Sequence, residues 1–271
     1  MASSAPVATL EGWTVAPFTG GGRTHDVYRK GSGPGVVLIP EIPGLTPEVL
    51  GLAQHLVDNG FGVAVPSPFG VPGKEATGSY TMGVVARFCV SSEFRAFATN
   101  AHRPITDFLR AVAADLAARS VGPGVGVIGM CATGGFALAA AIDQSVLVSV
   151  MSQPATPFPV GRARRIDPGM SQADLDVVAA RAEAGNLCIM GLRFSEDSAA
   201  PRERFAGLKA RLGNAFEVIE LDSSAGNAGG YSRGAHSVLT NEVRESPTNS
   251  AFATREAVVE FLRRNLTAKA K

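Results

Sequence analysis

One stretch, Val125-Gly-Val-Ile-Gly-Met-Cys-Ala-Thr-Gly-Gly-Phe136, constrains the fold more than any other. Val125 to Met130 is apolar without alternation, as in a parallel strand buried on both faces. It runs directly into Gly134 to Ile142, a nearly all-apolar segment that reads as a short buried helix. The turn between them holds Gly129, Cys131, Gly134 and Gly135. Abrupt strand-to-helix passages of this kind belong to parallel sheets wound with helices.

A strained turn at the carboxyl end of a strand is also where the G-x-S-x-G pattern presents a nucleophile. Cys131 occupies that position here. Its thiol would point toward the edge where doubly wound sheets bind ligands, and the following helix N-terminus favours thiolate over thiol. The N–H of Ala132 would be free to stabilise an oxyanion. The competing interpretation is a buried Cys packing as a small hydrophobe. A dinucleotide loop is excluded by spacing, because no G-x-G-x-x-G follows the strand and no acid closes a second strand about 20 residues later.

Further unalternating runs predict the rest of the sheet: Gly35 to Pro40, Gly62 to Pro66, Val146 to Met151, Leu187 to Met190 and Phe216 to Leu221. Helices are predicted between them. Thr46-Pro47-Glu48 is a cap followed by proline at the first helical position, opening a helix to Asn59. Ser171 opens another through Ala184, Pro201 to Leu212 makes a third, and Ala101 to Arg119 is helical. Thr248 or Ser250 opens the last. Trp13 to Ala16 and Thr24 to Arg29, flanking Gly20-Gly-Gly22, suggest an antiparallel edge hairpin.

With 271 residues, no repeat and no linker, residues 1–271 read as one domain, with residues 69–100 a candidate lid. The balance of 25 Lys+Arg against 24 Asp+Glu leaves +1, so nothing marks the chain for nucleic acid or an anionic membrane. Apolar runs are far shorter than the ~18 residues that span a bilayer. Three cysteines cannot close a disulfide framework and MASSAPVATL lacks the regions of a signal peptide, so a cytoplasmic protein is expected. No cofactor or metal is expected, and the chain would be a monomer or homodimer.

A thiol nucleophile needs a base, and the chain has only His25, His55, His102 and His236. His25 falls in the edge hairpin, His55 inside a helix and His102 at a helix start. His236 follows the last strand in a glycine-rich loop, a placement that delivers an imidazole to the top of the sheet. Asp197, in the loop after the strand between Cys131 and His236, is the preferred orienting acid, with Glu196 and Asp222 as rivals.

With Cys131, Asp197 and His236 in this order, the chain resembles the dienelactone hydrolase family of α/β-hydrolases. The motifs that carry the resemblance are Ile39-Pro-Glu-Ile-Pro-Gly44, Gly129-Met-Cys-Ala-Thr-Gly-Gly135, Arg193-Phe-Ser-Glu-Asp197 through Phe205, and Ala235-His-Ser237. It implies an α/β-hydrolase fold, a doubly wound, mostly parallel sheet with helices on both faces. It also implies that Glu41 lies near the thiol and aids its deprotonation, and that Ile42 supplies a second oxyanion N–H beside Ala132. Two positions depart from the family. Thr133 replaces a glycine in the elbow, and Thr240 stands where the family's substrate-carboxylate arginine would be, which argues against anionic substrates. Arg87 and Arg95 are then the candidates for a positive charge from another direction.

The expected chemistry is hydrolysis of a small lactone or activated carboxylic ester through a Cys-His-Asp triad and an acyl-thioester. A non-hydrolytic use of the fold, as a ligand-binding protein or a biosynthetic lyase or cyclase, is the alternative. A redox role lacks any C-x-x-C.

Overall fold

The computed structural model describes residues 4–156 and 159–267. Its elements in chain order are β1 (Thr14–Gly20), β2 (Arg23–Lys30), β3 (Gly35–Ile39), α1 (Pro47–Asp58), β4 (Gly62–Pro66), α2 (Gly78–Val90), α3 (Ile105–Arg119) and β5 (Val125–Met130). There follow α4 (Gly134–Ala140), β6 (Val146–Ser152), α5 (Arg162–Ile166), α6 (Gln172–Glu183), β7 (Cys188–Phe194), α7 (Arg202–Leu212), β8 (Phe216–Leu221) and α8 (Ser250–Leu266).

The strands form one sheet in the order β1-β2-β4-β3-β5-β6-β7-β8. Pairing is parallel from β4 to β8, while β1 and β2 join antiparallel at one edge as the hairpin expected from the sequence. The pleat sorts alternate residues to opposite faces. Val37, Ile39, Val125 and Val127 pack with α3, α4, α6 and α7, and Val36, Leu38, Ile128 and Met130 pack with α1 and α8. No helix among the described residues is long and apolar enough to cross a membrane.

Several boundaries shift from expectation for local reasons. The helix expected from Ala101 starts at Ile105, because Pro104 occupies its N-cap and proline bars the preceding residue from helical backbone. Asn249, rather than Thr248 or Ser250, caps α8 by accepting from the Phe252 N–H at 2.7 Å. The apolar helix after Cys131 stops at Ala140 instead of Ile142, and the strand expected to end at Met190 continues to Phe194. That extension carries Asp197 to the carboxyl edge of the sheet. Within residues 69–100, Val84 and Phe88 of α2 are buried, and Phe88 stacks on Phe94 with ring centroids 4.4 Å apart.

No strand or helix spans residues 222–249, so the polypeptide between β8 and α8 needs side-chain anchors. Tyr231 is the main one. Its hydroxyl accepts from Asn249 Nδ2, Ser250 Oγ and the Ala251 N–H at 2.9–3.0 Å, and its ring packs 4.8 Å from Phe194. Replacing Tyr231 with Phe strands these donors and is expected to lower stability by about 1–3 kcal/mol in urea titration. An unchanged midpoint would show that the hydroxyl is not an anchor.

Candidate active site

The carboxyl ends of five neighbouring strands bring the site together, as doubly wound sheets do. Cys131 follows β5, Glu41 follows β3, Gln153 follows β6, Asp197 follows β7 and His236 follows β8. Cys131 has φ +53°, left-handed backbone that costs a non-glycine residue about 1–2 kcal/mol. Close packing of the turn holds it there. A Cβ at Gly129 would meet the Thr133 carbonyl oxygen at 2.3 Å, and one at Gly134 would meet Pro154 Cα at 2.8 Å.

Thr133, the departure from glycine in the elbow, is fully buried. Its Oγ1 accepts from the Met130 N–H at 3.0 Å, and its single proton faces the carbonyls of Met130, Ile39 and Pro40 at 2.8–3.3 Å. The hydroxyl therefore ties the Cys131 turn to the loop carrying Glu41 and Ile42.

His236 and Asp197 meet as the chain order predicts. His236 Nδ1 lies 2.7 Å from Asp197 Oδ2. A carboxylate only accepts, so Nδ1 carries the proton and Nε2 is left for Cys131. Asp197 is buried, and its Oδ1 accepts from the N–H groups of Ala199 and Ala200 at 2.9 and 3.3 Å. Arg193, also buried, fixes this loop by donating to the carbonyls of Ala200 and Ser195 at 2.9 and 3.1 Å. Of the rivals, Glu196 instead pairs with Arg233 at 3.0 Å, and Asp222 accepts from the Ser224 N–H at 2.9 Å.

Burial works against the charged form of His236, but its hydrogen bonds to Asp197 and Cys131, with the negative charge of both, outweigh it. The imidazole is pushed up to about 11. The other histidines have separate partners: His25 with Glu93 at 2.6 Å, His55 with Glu256 at 2.9 Å and His102 with Asp107 at 2.9 Å.

Glu41 is buried and accepts three hydrogen bonds: from Gln153 Nε2 at 3.2 Å, from Ser237 Oγ at 2.9 Å and from Thr240 Oγ1. Sequence reasoning missed Gln153. It is fully buried, has φ +36°, and accepts from Ser152 Oγ while donating to Glu41. The available signal was Ser152-Gln153-Pro154, a polar break at the carboxyl end of an apolar strand. Ile42 and Ala132 are partly buried beside the same core face, and Ala132 lies in the single 3₁₀ turn before α4, where N–H groups lack intrahelical acceptors. Arg87 and Arg95 are both exposed, and Arg95 donates to the His102 carbonyl at 3.2 Å. Neither bonds to Cys131, Asp197 or His236 among the described residues.

A sequence profile of the dienelactone hydrolase family matches residues 25–160, spanning β2 to the loop after β6 and including Glu41 and Cys131. The chain belongs to the dienelactone hydrolase family. Solved structures of dienelactone hydrolases and of an esterase share its architecture. A dienelactone hydrolase-like promiscuous phosphotriesterase from metagenomic libraries superposes with a TM-score of 0.62 at 17% identity, covering 94% of this chain and 98% of its own. The dienelactone hydrolase of Anabaena variabilis ATCC 29413 does so with a TM-score of 0.56 at 11% identity, covering 94% and 98%. A cold-adapted esterase from an Arctic intertidal metagenomic library gives 0.56 at 16% identity, covering 93% of each chain. At such identities the likeness establishes the α/β-hydrolase fold. A search of curated proteins finds no match.

The sign of the His236 shift has a direct consequence. A folded value above the ordinary 6.5 stabilises the fold fully below 6.5, and that contribution is lost as pH rises through about 11. The ring should therefore stay cationic well above 6.5 in a histidine NMR titration. Asp197→Asn removes one anion, and the midpoint is expected to fall by at least about one pH unit. An unmoved midpoint would show that Asp197 does not hold the charge.

Proposed function

We propose that the chain is an acyl hydrolase acting on lactones or activated carboxylic esters, with Cys131, His236 and Asp197 as its catalytic triad. One observation carries the proposal: residues from three separate strand ends meet as thiol, imidazole and carboxylate, with the thiol on the left-handed turn at φ +53°.

The Cys131 thiolate adds to the carbonyl carbon, and the oxyanion rests on the N–H groups of Ile42 and Ala132. The adduct collapses to a thioester as its C–O bond breaks, and His236 gives its Nε2 proton to the departing oxygen. Acylation also removes the negative sulfur that raised His236. Burial then counts for more, so the imidazole can act as a base for the second half of the cycle. It takes a proton from water, the hydroxide adds to the thioester, and collapse expels Cys131 as thiolate with the acid as product.

A thiolate is a better leaving group than an alkoxide, so an adduct with a simple alkyl ester mostly reverts. Aryl esters, enol esters and lactones with stabilised leaving oxygens suit the site best. Among the described residues no group of His, Cys, Asp and Glu is arranged to hold a metal ion.

Phenyl ester hydrolysis by the wild-type chain and Cys131→Ala tests the reading. The variant is expected to lose at least about 10³-fold in kcat while keeping its fold, in line with removal of a triad nucleophile. Full activity in Cys131→Ala would overturn it.

A further inference from the structure

Three carboxylates in the described structure are buried: Glu41, Asp167 and Asp197. Asp197 faces His236 at 2.7 Å, and Asp167 lies 3.8 Å from Arg103. Glu41 alone has no Lys, Arg or His within ion-pair distance among the described residues. All three of its partners, Gln153, Ser237 and Thr240, are neutral. The Glu41 carboxylate is therefore hydrogen-bonded but has no counter-ion among the described residues.

Glu41 is tied to residues on both sides of the proposed reacting centre. Glu41 precedes Ile42, one proposed oxyanion donor, and its carboxylate binds Ser237, the neighbour of His236. His236 forms no ion pair with it, because its hydrogen bonds go to Asp197 and Cys131. Nor do the buried arginines. Arg103 donates to the carbonyls of Ala98 and Gly169, Arg193 to those of Ala200 and Ser195, and Arg204 to those of Asp167 and Pro154, while Arg255 pairs with Glu245 and Glu256. Ile42, the residue after Glu41, is partly exposed and apolar, as is Phe69. A Cβ at Gly70 would meet the Pro43 carbonyl oxygen at 1.9 Å, which sets the Phe69 segment against the Ile42–Gly44 loop.

Building on the acyl-hydrolase reading, we infer that the site selects substrates whose acyl group carries no negative charge, and that the uncompensated carboxylate of Glu41 is the selecting element. A substrate carboxylate would enter a poorly solvated site beside a fixed like charge. An uncharged apolar acyl group meets Ile42 and Phe69 without that repulsion.

Three phenyl esters with the same leaving group separate charge from polarity: the butyrate, the succinamate and the hemisuccinate. The succinamate and hemisuccinate are nearly isosteric and differ in charge. Wild-type kcat/KM is expected to be about 10- to 100-fold higher for the succinamate than for the hemisuccinate, the effect of one like charge a few ångströms away in a partly screened site. Glu41→Gln should shrink this ratio several-fold, whatever happens to its absolute rates. Equal wild-type rates on the two esters, with turnover still dependent on Cys131, would overturn the charge selection alone. A ratio unchanged in Glu41→Gln would overturn Glu41 as its source. No Cys131-dependent turnover of any of the three would overturn the acyl-hydrolase reading and this inference with it.

Discussion

The left-handed backbone of Cys131 is the constraint around which the rest of the site is arranged. A side chain at φ +53° is unfavourable in isolation, and two kinds of contact make it the stable choice here. Backbone crowds against Gly129 and Gly134 more closely than any Cβ allows. The Thr133 hydroxyl then bonds the turn to itself and to the end of β3. A different backbone at Cys131 would point the thiol away from His236 and pull the turn off the Glu41 loop. Sheet, elbow and loop thus specify one another.

Charge is the second organising element. Asp197 and Cys131 both favour the cationic form of His236, and burial, which favours the neutral form, is outweighed. Such a balance changes when either anion changes. In the proposed reaction, acylation of sulfur would remove one of them, so the same imidazole would serve as acid before the thioester and as base after it. Glu41 lies outside this balance. Its three hydrogen-bond donors are neutral, and no cation pairs with it among the described residues.

How legible these features were in the sequence follows from how local their causes are. The elbow was legible because its glycines, its nucleophile and the flanking apolar runs lie within twelve residues, Val125 to Phe136. His236 emerged because four histidines leave few candidates, and Asp197 because strand order limits which loop can face it. The Glu41 clamp was not legible. Gln153, Ser237 and Thr240 lie 112, 196 and 199 residues from Glu41, and only the closed sheet brings them together. Thr240 read as the loss of an arginine, whereas in the fold it is a donor. Likewise Thr133 read as a departure at a tight turn, and the structure shows a tether between two loops. The helix before β5 was misjudged at its start because Pro104 fits a cap as readily as a first turn.

The central claim is that acyl groups pass through the sulfur of Cys131. Acid quenching during turnover of a phenyl ester, followed by peptide mass spectrometry, tests it most directly. The account predicts a single acyl group on the peptide containing Cys131, released by hydroxylamine as a thioester should be. Acyl transfer to any other residue, or steady turnover with Cys131 never acylated, would contradict it.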